Sequence, residues 1–445
     1  MKDERIRIGL QQFANGAGVV VNYAGDNNPA DAGAINTVAT PPVNVGKDLS
    51  VEMKTFYDKV LIELASPKLV HDQFGQKRPI PRNGGKTIEF RKFDNLPKAL
   101  TPITEGVTPV GNKLKASALT ATVEQYGDYV EQTDMLELTS IDNTIVQATK
   151  KLAAQAGETL DTVVREKLNA GYNVMYAKKD NGDGTFTEVK KRSDLTKDCH
   201  LTVKDVFRAA TELKAVNAPK IGDSFVAVIH PYTAYTLMQE AGPMWLDIQK
   251  YASPENMLRG EIGKLGGVRF VESTEAKIFG PAAIAKDANG TDVTRLTVKT
   301  AATAATSVVV EEELEAGTGL AIDVYVGGTA NKIKAIATSN HVTTITLNSA
   351  ATVAAGDIVS GVGGGKDGSA VFSTLFMAED AYGTTDITGG GLEHIVKQRG
   401  YGNDPLNQRS SIGWKATKTA EILIEEYILR FESCSPDTSL TAESN

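Results

Sequence analysis

The chain has 445 residues, of which 41 % are hydrophobic, 23 % charged and 6 % aromatic. That length exceeds one typical domain and suggests two or three, and the composition excludes a disordered chain. A net charge of −8 argues against a dedicated nucleic-acid binder, and two cysteines, Cys199 and Cys434, cannot make a disulfide framework.

Residues 1–50 lack a periodic pattern, are rich in Gly, Asn, Ala and Pro, and read as an extended N-terminal arm. Met1-Lys2-Asp3-Glu4-Arg5 mixes both signs of charge and no apolar signal segment follows, so folding in a cytoplasm is expected. No run of about 18 apolar residues occurs, so no transmembrane helix is expected. Within 51–75, Met53, Phe56, Tyr57, Val60, Leu61 and Leu64 recur at helical spacing. Ser50 is the candidate cap and Pro67 the stop.

Residues 76–132 change character. Lys86 to Phe93 alternates, with Ile88 and Phe90 on one face and Glu89 and Arg91 on the other. Leu119 to Val130 is similarly extended, and Pro and Gly punctuate the stretch between, which predicts a long β-hairpin arm. Residues 75–115 hold nine Lys or Arg against three acids, a net of +6 inside an acidic chain. Two readings stand open. The charge either protects an exposed edge or fits the arm to an acidic neighbouring subunit, with Lys77, Arg78, Arg82, Lys86, Arg91 and Lys92 as contact residues.

Residues 133–199 open with the strongest helical pattern in the chain, Leu138, Ile141, Ile145, Ala148, Leu152, Ala156, Leu160, Val163 and Leu168. Some 30 residues at 1.5 Å rise make roughly 45 Å, long enough to need neighbours along its length. Gly171 stands where a C-cap belongs. Asp180-Asn181-Gly182-Asp183-Gly184 then predicts a hairpin turn.

Residues 200–284 alternate helix and strand: a helix over 202–216, a buried strand over 225–229, a helix over 232–239 and a strand over 268–271. The pattern resumes over 369–432, with a strand at 371–377 and an alternating strand from Glu421 to Phe431. Between lies a Thr-, Ala-, Val- and Gly-rich block, 285–368, with short strands near 306–311, 321–326, 332–337 and 342–347. It predicts an inserted small β-barrel or sandwich. Residues 433–445 form a C-terminal tail.

Catalytic chemistry finds no constellation. Gly260-Glu261-Ile262-Gly263-Lys264 lacks P-loop spacing, and Leu265 stands where Ser or Thr must bind magnesium, so turns before a strand are the simpler reading. No G-x-S-x-G and no H-E-x-x-H occurs. His71, His200, His230, His341 and His394 are scattered. Neither cysteine has a second Cys or His two to five residues away, as a zinc site would need. The Asp180–Gly184 turn has Gly182 where a calcium loop wants Asp or Asn. Glu311-Glu312-Glu313 with Glu315 reads as a solvated face. No catalytic residue, metal or cofactor is expected.

The layout, arm, short helix, basic hairpin, spine helix and separate α/β domain, matches the Hong Kong 97 (HK-97-like) capsid fold, of the α+β class. The residues sharpen it: Pro254-Glu255-Asn256, Gly260 to Thr274, Asp380-Ala381-Tyr382-Gly383, Gly389 to Glu393, Ile395 to Gln398, Asp404 to Arg409 and Gly413 to Ala420. In these stretches the sequence resembles the major capsid protein family of tailed phages related to phage N-four. The resemblance implies a non-enzymatic subunit of an icosahedral virion shell, built from pentamers and hexamers in the bacterial cytoplasm around double-stranded DNA. It assigns 1–50 to the N-arm, 76–132 to the E-loop, 133–199 to the P-domain, and 200–284 to the A-domain. It assigns 369–432 to the second part of the A-domain with the P-domain return strand. The implied partners are the chain itself, a portal, a scaffolding protein, DNA by non-specific contact and a decoration protein, with no membrane. The departure is the 285–368 block, whose net −3 suits an outward position. An alternative function is an interaction module in which that block binds a host glycan or a decoration protein.

Overall fold

The computed structural model describes residues 70–445 apart from 94–95, 97, 101, 103–104, 107–110, 140–143, 242–260, 288, 340, 389 and 400–405. The expected arm over 1–50, the helix over 51–65 and Pro254-Glu255-Asn256 lie outside the described residues.

The chain opens with β1 (Gln76–Lys77), followed by β2 (Thr87–Phe93) and β3 (Ala116–Thr122), which pair antiparallel in full register from Thr87–Thr122 to Phe93–Ala116. This is the predicted hairpin. β4 (Glu124–Thr133), the short helix α1 (Asp134–Thr139) and the long helix α2 (Thr144–Asn169) follow. At 26 residues α2 runs about 39 Å. Next come β5 (Val174–Tyr176), a short hairpin over 179–187, and α3 (Val203–Ala215). The start of α3 is fixed by a capping box in which the Thr202 side chain accepts the Asp205 amide and the Asp205 side chain accepts the Thr202 amide. β6 (Phe225–Ile229), α4 (Pro231–Ala241), β7 (Glu261–Leu265) and β8 (Val268–Glu272) complete the first part of the α/β region. The turn between β7 and β8 is Gly266-Gly267, with φ of 63° and 87°, the left-handed pair that a two-residue hairpin turn requires.

The block that follows holds β9 (Arg295–Thr297), β10 (Ala302–Val310), β11 (Gly317–Val326), β12 (Thr329–Ser339), β13 (Val342–Val353) and β14 (Ile358–Gly361). Their sheet order is β9-β14-β11-β12-β13-β10. Hydrogen bonds from Lys299 N to Val309 O (2.9 Å) and from Glu311 N to Thr297 O (2.9 Å) tie the last strand back to the first, so the sheet closes into a barrel. Its interior is aliphatic: Leu296, Val298, Val308, Val310, Val324, Ile333, Ile336, Ile345, Leu347 and Val359 are buried, largely at every second position. The chain enters and leaves the barrel at one place, where Ala282 N bonds Val362 O (2.8 Å).

The chain then returns through β15 (Val371–Met377), β16 (Tyr382–Thr385), β17 (Glu393–Lys397), β18 (Arg409–Ile422) and β19 (Ile428–Ser433). The central sheet has the order β5-β19-β15-β6-β8-β7. Its inner strands are apolar on both faces because both are covered. Phe225, Ala227 and Ile229 pack with Val206, Leu213, Ala234 and Leu237 of α3 and α4, whereas Val226 and Val228 pack with Val164 and Leu168 of α2. The second sheet, a limb, is organised by β18. β4 lies along one edge from Thr133–Arg409 to Glu124–Lys418, and β17 and β16 share the other, with β1 added parallel to β16. The first two thirds of α2 cover this limb, packing Leu152, Ala153, Ala156 and Leu160 on Ile412, Trp414 and Ala416. One helix therefore serves two cores, which is why its apolar pattern persists for so long. Hairpin, long helix, α/β sheet and returning limb follow in the order that the HK-97-like resemblance implies.

Three sequence expectations change in detail. Of the helix expected from Leu138, the described part is Thr144–Asn169, residues 140–143 lie outside the described residues, and Leu138 itself, on α1, is 75 % exposed and not in the core. The extended run 119–130 is two strands, because β3 pairs with β2 and β4 with β18, with the turnover at buried Val123. The alternating strand expected from Glu421 to Phe431 is broken by a 3-10 turn at Glu425–Tyr427, where the chain passes from the limb to the central sheet. Both sides of that crossing are half apolar, so the alternation hides it. Among the described residues no helix is long and apolar enough to cross a membrane.

Candidate functional site

The hairpin stands on the limb by one aromatic anchor. Phe90, on the same face of β2 as Ile88, is buried with its ring against Gly383 of β16, where a Cβ would stand 2.7 Å from the ring. Beyond this anchor only the small Ala121 is buried among the described apolar residues of the hairpin. Leu96, Leu100, Leu114 and Leu119 are exposed, Leu100 to 83 %.

All six basic residues singled out in the sequence are exposed on this hairpin or its root. Lys77 pairs with Asp72 (3.3 Å), Arg91 with Glu89 (2.8 Å), and Arg82 donates Nε to the Thr388 carbonyl (3.3 Å). Among the described residues Arg78, Lys86 and Lys92 have no ion-pair partner. The six form a file along the root and first strand rather than a cluster.

A complementary surface lies one strand away. Residues 124–139 contain Glu124, Asp128, Glu131, Asp134 and Glu137 and no Lys or Arg. Glu124, Asp128 and Glu131 are exposed and make no ion pair among the described residues. Hydrogen bonds from Gln155 Nε2 (2.6 Å) and the Tyr129 amide (2.8 Å) hold the Asp128 carboxyl below the usual range, so it stays charged. Between these acids, Tyr129 and Met135 are each 63 % exposed, with Val130 and Leu136 beside them. On the side of the limb away from α2, Tyr129, Glu131, Ile395, Lys397, Gly413 and Lys415 line a shallow depression of about 600 Å³. Its floor needs glycine: a Cβ on Gly413 would stand 2.7 Å from that of Tyr129. Sequence reading missed this acidic strip, although counting charges over 124–139 as was done over 75–115 would have found it.

The remaining polar groups are built into the fold. His230 packs between Tyr232 (4.9 Å) and Phe372 (5.1 Å), and burial lowers its pKa to about 4. His341 is exposed against Glu313 (3.0 Å), whose carboxylate raises its pKa. Cys199 and Cys434 are buried and free, and burial pushes both thiols up, away from the reactive thiolate. Asp180 and Asp183 bond the amides of Gly182 and Thr185 within their own turn. Among the described residues no three His, Cys, Asp or Glu side chains are grouped to hold a metal. A groove of about 600 Å³ beside β5 and α3 is lined by Lys178, Glu188, Lys190, Arg208 and Glu212, with no histidine, cysteine or serine.

No protein-family model and no curated protein matches the sequence. Among solved structures the chain is similar to the capsid of cyanophage Pam1, at 12 % identity and a TM-score of 0.49 over 88 % of this chain and 98 % of that one. It is similar to the capsid of cyanophage P-SCSP1u, at 14 % identity and a TM-score of 0.48 over 82 % and 88 %. The capsid of Ralstonia phage GP4 follows at 11 % identity and a TM-score of 0.47 over 83 % and 89 %.

Proposed function

We propose that this chain is the major capsid protein of a tailed phage, a non-enzymatic subunit that assembles into pentamers and hexamers of an icosahedral shell enclosing double-stranded DNA. The observation that carries the reading is the unmatched pair of surfaces on one subunit. A hairpin with a net charge of +6 and exposed leucines buries little apolar surface among its described residues, and a strip of five acids with exposed apolar residues has no Lys or Arg within its own sequence, 124–139. Segments of this kind are stable only against a partner, and opposite charge selects another copy of the same chain. Lys77, Arg78, Arg82, Lys86, Arg91 and Lys92 are then the contact file and Glu124, Asp128 and Glu131 its receiving strip.

Assembly in the host cytoplasm, a separate scaffolding protein and a portal belong to the same reading, as does interior DNA held by weak, non-specific contact. The barrel, with its net −3, is assigned to the outer surface, where a decoration protein would meet it. The test is sedimentation and electron microscopy of the purified chain, with and without scaffolding partners from the same source. Closed shells, sheets or capsomer rings are expected. A compact monomer under every condition would overturn the reading.

A further inference from the structure

Residues 70–77 are held by side chains from three elements rather than by a ladder. His71 donates its backbone amide to Asp161 Oδ1 of α2 (2.8 Å), and its Nδ1 lies 2.6 Å from Asp161 Oδ2, with both side chains fully buried. Tyr382, at the head of β16, sends its phenol into the same turn. The hydroxyl donates to the His71 carbonyl. Gly75 has to be glycine, because a Cβ there would overlap the Tyr382 ring. Asp72 meets Lys418 of β18 (2.5 Å) and Lys77 (3.3 Å). Among the described residues only Gln76 and Lys77 join a ladder, and the apolar contribution is that of partly buried Val70 and Phe74.

Such a network behaves collectively. Removing one buried member leaves its partners without hydrogen bonds, so the remaining contacts weaken together. Little apolar area holds the segment down, and segments of that kind open below the global unfolding energy. We infer that residues 70–77 form a clasp around Tyr382 that opens as a unit, lifting β1 from the edge of the limb while the central sheet stays intact. The clasp sets the direction in which the basic hairpin leaves the body, since β1 forms its last two residues and Ile80, the hairpin's root, follows directly. Opening it lets the hairpin turn relative to α2 without the loss of a single strand pair in the central sheet.

The test is hydrogen exchange on the unassembled full chain, for wild type, Tyr382→Phe, Asp161→Asn and the double variant. Tyr382→Phe keeps the packed ring and removes only the hydroxyl. It should speed exchange of amides within 71–78 at least tenfold and leave those of β6 and β15 at wild-type rates. Asp161→Asn should act on the same amides, and the double variant should exchange no faster than the faster single one. An equal rise in β6 and β15, no change over 71–78, or multiplying effects in the double variant would each overturn the clasp. Exchange is read without assembly, so a failure to form shells leaves this result standing.

Discussion

Gly383 offers a test in which the sign of an effect, and not only its size, reports the packing of the hairpin. Its backbone lies outside the left-handed region, so alanine meets no conformational strain there. On entropic grounds alone Gly383→Ala should stabilise by roughly 0.4–1 kcal/mol, through loss of freedom in the unfolded chain. The new methyl, however, would stand 2.7 Å from Phe90 Cε1 and 2.8 Å from Cζ. Both neighbours sit in paired strands and the ring is buried, so the overlap is relieved by displacing Phe90. Overpacking of this kind costs about 1–3 kcal/mol. In the wild-type background Gly383→Ala should therefore destabilise. Phe90→Leu removes the two ring atoms in conflict, and in that background the same substitution should stabilise. The entropic gain is common to both backgrounds, so the coupling between the two sites is the overpacking cost, about 1–3 kcal/mol, far above the few tenths that separates independent positions. Urea unfolding of the four proteins, with hydrogen exchange over 87–93 and 116–122 to catch local release of the hairpin, measures the cycle. Additive effects would refute the docking of Phe90 on Gly383 and with it the anchor of the hairpin.

Reversing the file with Lys86→Glu and Lys92→Glu should abolish or severely slow assembly, and Glu131→Lys on the same chain should restore part of it. Light scattering reads both, and wild-type assembly should weaken as salt rises toward 1 M, where the screening length falls to about 3 Å. Replacing residues 285–360 by a short linker should leave assembly intact, because the chain enters and leaves the barrel at one hydrogen-bonded junction; loss of shells in the microscope would contradict this. His230 is held neutral by burial, its pKa lowered from 6.5 to about 4. The unfolded chain binds the extra proton first, so this contribution is complete above pH 6.5 and fades as pH falls toward 4, by up to about 3 kcal/mol. His230→Asn should flatten that part of the stability profile in urea titrations at pH 7.5, 5.5 and 4.5.

What the sequence discloses here is what depends on neighbours along the chain. Phe225–Ile229 shows as a strand because an unbroken apolar run of five fits a sheet covered on both faces, and the residue bounds agree. The start of α3 is written in Thr202 and Asp205, and the 179–187 hairpin in its Asn-Gly and Asp-Gly pairs. Pairing between distant segments leaves no such trace. Nothing in Glu124–Thr133 says that its partner is β18 rather than β2, so two strands merged into one in the sequence reading. The passage from limb to central sheet at Glu425–Tyr427 was masked for the same reason. Of the proposed contact surface, the basic file was readable as a charge excess. The clasp was not, since His71 meets Asp161 across 90 residues and Tyr382 across 311.

The closure of the barrel has a consequence that concerns crowds rather than single molecules. A shell would hold many copies at fixed spacing, with effective concentrations on the order of millimolar between tethered neighbours. An open sheet rich in Thr, Val and Ala would there present unpaired backbone groups to its own image, the geometry from which cross-β stacking grows. Tying Thr297 and Lys299 to Glu311 and Val309 spends those groups internally. The block can then be displayed at high density and stay separate from its copies.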